Sequence, residues 1–192
     1  IAGRRHKMYT LLLVDDEEDV IEVIERKVSW EQIGFHVVGH AGNGFKALEM
    51  MEDMQPDVVM TDIRMPYMDG LELCSNIRQR FPATKLLLFT GFDDFEYAKE
   101  AVHLEIEEYI LKPLNLAEIT EVFKKLKTKL DDELNEKKNT DILKQYYAAS
   151  LPVLQSNFYT TLIEGRIPEN ELGRYMRDYK IVLEGPYYCC II

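Results

Sequence analysis

Cysteine is scarce in this chain: three in 192 residues, two of them adjacent as Cys189 and Cys190 and the third, Cys74, alone in a helical pattern. Such spacing offers no disulfide framework and fits a reducing compartment. Basic residues are also in deficit, 23 against 34 acidic, for a formal charge of −11. A phosphate backbone needs a cationic face, so these residues do not form a nucleic-acid surface, and any DNA-reading part lies elsewhere. No apolar run approaches the roughly 18 to 20 residues that span a bilayer, and Ile1 to Thr10 lacks the apolar core of a signal peptide. The expected location is the cytoplasm. The four histidines are scattered, and His36 and His40 are read as surface or core residues rather than ligands. Gly42-Asn43-Gly44 mimics a dinucleotide fingerprint, but it follows the second apolar run and reads as a plain turn. Phe45 stands where a phosphate-binding loop needs lysine. There are no internal repeats.

From Tyr9 onward, short apolar runs alternate with stretches of helical period, the pattern of a parallel sheet covered on both faces. Five units are expected. The strands are Thr10 to Val14, Val37 to His40, Val58 to Thr61, Lys85 to Thr90 and Glu108 to Leu111. The intervening helices are Glu18 to Val28, Gly44 to about Met54, Leu71 to Arg80, and Asp93 to about His103, with Asp93 or Asp94 as its cap. Trp30, Ile33 and Gly34 fall in a loop. The fold class is α/β: a doubly wound five-stranded parallel sheet of flavodoxin-like order 2-1-3-4-5.

A fifth helix opens after Pro113-Leu114-Asn115 and outlasts a domain helix, reaching about Gln145. Leu116, Ile119, Phe123, Leu126 and Leu130 step by 3, 4, 3 and 4, which suits a coiled-coil seam or a face packed on the sheet. After Tyr146 the pattern restarts, with Leu151, Leu154, Phe158 and Leu162 on one face, Gly165 as a stop, and a second helix through Leu172 to Tyr179. Gly185-Pro186 leads into the β-prone run Tyr187 to Ile192. The expected organisation is a tag or disordered start at 1–8, a first domain at 9–130, a helical linker at 131–148, and at 149–192 the truncated beginning of a second domain.

Four of the five strands end on, or are followed at once by, a residue able to do chemistry. Asp15-Asp16 follow the first, Asp62 the third, Thr90 closes the fourth, and Lys112 follows the fifth. With strands one and three adjacent, three carboxylates within about 4 to 6 Å repel by several kcal/mol per pair at an effective dielectric of about 20. A hard divalent cation relieves this. Mg²⁺ suits because it takes one or two carboxylates and leaves positions for phosphate oxygens. Lys112 would neutralise a further oxygen and Thr90 donate to another, so that Asp62 could attack phosphorus to give an acyl phosphate. Taken alone, Asp15-Asp16-Glu17 also reads as a helix cap.

The motifs LLLVDDEED, VVMTDIRMPYMDG, LLLFTG and EYILKP occur in that order. Through them, Tyr9 to about Leu130 resembles the receiver domain of bacterial two-component response regulators. The resemblance implies Asp62 as phosphoacceptor, and Mg²⁺ held by Asp16, Asp62 and the Arg64 backbone carbonyl with Asp15 positioning it through water. It further implies Thr90 as switch hydroxyl, Tyr109 as the aromatic that turns inward, Lys112 as partner of the acyl phosphate, and a cis Lys112-Pro113 bond. Arg64 and Phe92 occupy positions that tune dephosphorylation. The phrases VSWEQIGFHVVGHAGNGFKAL and GFDDFEYAKEAV resemble regulators whose C-terminal part, absent here, is an AraC-type helix-turn-helix domain. The implied partners are a sensor histidine kinase docking near the first helix and a second copy. The copies would pair through the face of the fourth helix, fifth strand and fifth helix, or through the long helix, and DNA would be bound only by the missing domain. An enzyme reading, a Mg²⁺-dependent phosphatase of the haloacid dehalogenase type, needs a second acid two places after its nucleophile, where Arg64 stands. A receiver scaffold without DNA output is the other alternative.

Overall fold

Leucine, valine and isoleucine fill the strand runs without alternation because both sheet faces are covered. In the computed structural model, which describes residues 8–91, 103–112 and 115–182, the strands are β1 (Tyr9–Val14), β2 (Phe35–Ala41), β3 (Val58–Asp62), β4 (Lys85–Thr90) and β5 (Glu108–Leu111). They pair in parallel in the order β2-β1-β3-β4-β5. Helices α1 (Glu18–Lys27), α2 (Trp30–Ile33), α3 (Gly44–Met54), α4 (Gly70–Arg80), α5 (Leu116–Ile163) and α6 (Glu169–Asp178) complete the described elements. The expected helix at Asp93 to His103 falls almost wholly outside the described residues. So do the Lys112-Pro113 bond, Phe92, residues 1–7, and the run Tyr187 to Ile192.

Alternate residues of β1 feed opposite cores. Leu11 and Leu13 pack with α1, α2 and α5, whereas Leu12 and Val14 pack with α3 and α4. Strand β2 is longer than expected at both ends because Phe35 and Ala41 are fully buried. Its register skips Val38, passing from Leu11↔Val37 to Leu12↔Gly39, as a bulge does. The expected loop at 30–34 contains the short α2, whose Trp30 and Ile33 turn inward and which closes at Gly34 with φ +88°.

Two compact units are present, Ile1–Asp131 and Asp132–Ile192, and α5 contributes to each. Within the first, Ile119, Phe123, Leu126 and Leu130 are buried in the core shared with α1, α2 and β1. Phe123 meets Trp30 edge-on at 4.8 Å and Phe35 at 5.0 Å. Of the two readings of the seam Leu116 to Leu130, the described structure shows the face packed on the domain's own core. The helix does not stop near Gln145. Tyr146 to Ser150 offers no glycine or asparagine to close a helix, and Pro152 costs one backbone bond without ending it. Termination comes at Gly165, with φ +65° and its N–H donated to the Leu162 carbonyl. In the second unit Phe158 is buried against Tyr179, and Gln155 Nε2 donates to the Tyr179 carbonyl at 2.9 Å. No helix among the described residues is long and apolar enough to cross a membrane.

Because Phe123 is enclosed by two other rings, Phe123→Ala should destabilise the first unit by about 3 to 5 kcal/mol, while Ile142→Ala, at an exposed position of the same helix, should stay within about 0.5 kcal/mol. Urea unfolding monitored at Trp30 checks this. Equal small losses from both would contradict the core assignment.

Candidate functional site

Register brings the polar strand ends together. Val14 pairs with Thr61 and Asp62 with Phe89, so Asp15 and Asp62 emerge side by side at the C-terminal edge of the sheet. Thr90 pairs with Leu111, and its carbonyl accepts the Lys112 N–H at 2.7 Å. That bond sets the root of the Lys112 side chain at the same edge, and its ammonium then reaches across to the centre of the sheet. Nζ lies 3.1 Å from Asp15 Oδ2 and 3.3 Å from Asp62 Oδ1, above the Phe89 ring at 5.0 Å from its centroid.

Each carboxylate is held by backbone as well as by charge. Asp15 is fully buried, and its Oδ1 accepts the Glu17 N–H at 2.8 Å, which holds the turn that leads into α1. Asp62, 6% exposed, accepts the Arg64 N–H at 3.2 Å on Oδ2. Asp16 is exposed, and Asp15, Asp16 and Asp62 each offer an oxygen within 4.8 Å of the others. Burial raises the Asp62 pKa above the ordinary value; Lys112 pulls it down and Asp15 pushes it up, leaving it raised. Burial works against the Lys112 ammonium, but its hydrogen bond and attraction to Asp15, followed by Asp62, outweigh this and raise its pKa.

The structure therefore brings Asp15, Asp16, Asp62 and Lys112 into one cluster. Thr90, almost fully buried, stands at the same edge. Tyr109 lies two residues short of the β5 end, half-buried against the core formed with α3 and α4. The described contact of Arg64 with Asp62 runs through its N–H. Sequence reasoning missed Gly70. A Cβ there would fall 2.0 Å from the Asp62 carbonyl oxygen, and the Gly70 N–H donates to the Ile63 carbonyl at 2.8 Å. Only glycine lets α4 start this close to the end of β3. The signal was the Asp-Gly pair directly before the apolar helical pattern, where Asp69 Oδ1 caps α4 by accepting the Glu72 N–H.

The donor set tests the fit to a hard cation. Three carboxylates supply oxygen only, and their 4.8 Å spread is close to the roughly 4 Å that separates opposite ligands at 2.0–2.1 Å from Mg²⁺. Lys112 balances one of the three charges, so anionic excess remains. These residues fit the metal that receiver domains use.

Comparison with known proteins agrees with this geometry. YesN of Bacillus subtilis, described as an uncharacterized transcriptional regulatory protein, is 37% identical over 137 residues, which are 71% of this chain and 37% of YesN. The chain thus spans little more than a third of that relative. The REC domain of AraT, a response regulator from Geobacillus stearothermophilus, superimposes with TM-score 0.63 at 36% identity, covering 66% of this chain and 98% of that REC domain. A two component transcriptional regulator AraC from Clostridium phytofermentans gives TM-score 0.57 at 32% identity, covering 61% of this chain and 91% of the other. Residues 11–124 match the response regulator receiver domain, and the chain belongs to that family of two-component signalling proteins.

Proposed function

We infer that Asp62 accepts a phosphoryl group from a phosphohistidine of a sensor kinase. The observation that carries this is the ammonium of Lys112 held 3.3 Å from Asp62 Oδ1 and 3.1 Å from Asp15 Oδ2. An Asp62 oxygen forms the new O–P bond as the donor's N–P bond breaks and its imidazole leaves with the electron pair. Lys112 then exchanges part of its contact with Asp62 for a phosphoryl oxygen, which keeps its charge beside the new anion. Asp15, Asp16 and Asp62, with the Arg64 carbonyl, are the residues that would hold Mg²⁺, and the bound metal supplies charge neutralisation for the phosphoryl oxygens.

Thr90 is the hydroxyl next in reach along the edge, and Tyr109 the aromatic whose packing follows it. Their rearrangement biases a two-state element around β5. Two phosphorylated copies pair through that face rather than through the buried α5 seam. DNA is bound by an AraC-type domain outside this sequence, and the protein acts in the cytoplasm as a regulator of transcription, not as a turnover enzyme.

Acetyl phosphate with Mg²⁺ should label the protein stoichiometrically at one site, and Asp62→Asn should take no label, as read by intact-mass spectrometry. Label retained by Asp62→Asn contradicts the acceptor assignment; many rapid turnovers on diverse phosphomonoesters favour the phosphatase. A second test uses the raised Asp62 pKa. The native state keeps a proton that the unfolded chain releases, so metal-free stability falls as pH rises from the ordinary value of 3.8 through the native one. Asp62→Asn lacks this loss. It should melt higher than the unsubstituted protein at pH 7 without metal. The gap should close toward pH 4, and Mg²⁺ should raise the melting point of the unsubstituted protein more. A lower melting point for Asp62→Asn in metal-free buffer at pH 7 contradicts the reading.

A further inference from the structure

The rim of the carboxylate site continues without a break into the turn between β2 and α3. The Asp15 N–H donates to the Ala41 carbonyl at 3.1 Å, which fixes the end of β2 beside the acidic corner. Two residues on, Asn43 caps α3 by accepting the Lys46 N–H. Gly44 then lies directly against the loop that follows Asp62: a Cβ at Gly44 would fall 2.6 Å from Met68 Cγ, and Met68 is buried. The next residue on each side of this contact is a large aromatic turned the other way. Phe45 is 59% and Tyr67 87% exposed.

Tyr67 is held outward against its own backbone preference. It sits at the apex of a three-residue turn closed by the Met68 N–H on the Pro66 carbonyl, 2.9 Å, with φ +72°. That is an uncommon, strained turn, and a bulky residue at positive φ costs energy that its exposed ring does not recover by packing. Strain at an exposed aromatic beside a reactive group is the kind of outlier from which function is inferred. The flanking residues Lys46 and Arg64 are exposed as well, so the rim offers two rings and two cations within a few residues of an anionic reaction centre. Aromatic and arginine side chains are those enriched at protein interfaces.

We propose that Phe45 and Tyr67, the outward aromatics on either side of the Gly44–Met68 contact, seat the phosphohistidine-bearing surface of a protein phosphodonor over Asp62. This rests on the phosphoacceptor reading. A histidine carried on a protein can bring its phosphorus to the Asp62 oxygen only if the donor surface covers the rim of the site, and this part of the rim is apolar where the rest is acidic. Lys46 and Arg64 attract the donor's phosphoryl group while the rings take up its apolar neighbours. A small donor enters the site without touching the pair. The two aromatics therefore determine which donors are used and leave the chemistry at Asp62 unaltered.

The test compares two donors on the full chain: acetyl phosphate, and a ³²P-labelled sensor-kinase core chosen because it phosphorylates the unsubstituted protein. Phe45→Ala combined with Tyr67→Asn, the latter compatible with positive φ, should lower kcat/KM for transfer from the kinase core at least tenfold, mainly through KM. Labelling by acetyl phosphate should stay within twofold. Phe45→Leu with Tyr67→Phe should recover most of the transfer, and melting curves verify that each variant is folded. Unchanged transfer from the kinase core overturns the assignment. An equal fall with both donors overturns it too, by placing the pair in the site rather than in docking. Self-association that is lost in the double variant while kinase transfer is kept assigns the pair to contact between copies and also overturns it. Should acetyl phosphate leave the unsubstituted protein unlabelled, the phosphoacceptor reading itself falls, and the docking assignment with it.

Discussion

One ammonium group holds the functional edge together. Lys112 reaches from the end of the outer strand β5 to carboxylates on the central strands β1 and β3, 3.1 Å from Asp15 and 3.3 Å from Asp62. Two carboxylates 4 to 5 Å apart repel by roughly 3 to 4 kcal/mol at an effective dielectric of about 20. Without the lysine that repulsion would stand uncompensated in a buried setting. The parallel order makes the reach feasible: the Lys112 N–H is tied to the Thr90 carbonyl at 2.7 Å, and the long side chain crosses the Phe89 ring to the acidic pair. The same arrangement keeps Asp62 poorly solvated, which raises its proton affinity while leaving an oxygen at the mouth of the site.

Much of this was legible because strand ends in a parallel sheet are predictable from apolar runs. The bounds of β4 and β5 follow directly from where Leu86 to Phe89 and Tyr109 to Leu111 stop and a polar residue begins, and the strand order is that of the doubly wound class. Asp15, Asp16, Asp62 and Lys112 converge because each directly ends or follows its strand. Gly70 was not legible as a site-shaping residue, since its role depends on a backbone oxygen of Asp62 approaching in three dimensions. The short α2 was hidden for a related reason. Four residues are too few to show a period, and only the burial of Trp30 and Ile33 distinguishes that helix from a loop.

Helix α5 illustrates a limit of periodicity. Steps of 3 and 4 describe any apolar face of a helix and do not say what covers it. In the first unit Phe123 and Leu130 on this face meet the sheet and the first helices. In the second, Leu151, Leu154 and Phe158 continue the same 3-4 frame, and Phe158 packs against Tyr179 of the segment after α6. Between them Glu133, Lys137 and Thr140 occupy the frame and are exposed. The repeat is used twice for intramolecular packing.

The claim that Lys112 counteracts burial in setting the charge state of Asp62 is tested most directly by ¹³C NMR titration of the Asp62 side-chain carboxyl in metal-free protein, unsubstituted and Lys112→Gln. The midpoint in the unsubstituted protein should lie above the ordinary 3.8, and removal of the lysine charge should move it higher still, since only backbone hydrogen bonding would then oppose burial and Asp15. A midpoint at or below 3.8, or one that does not move in Lys112→Gln, would contradict the account.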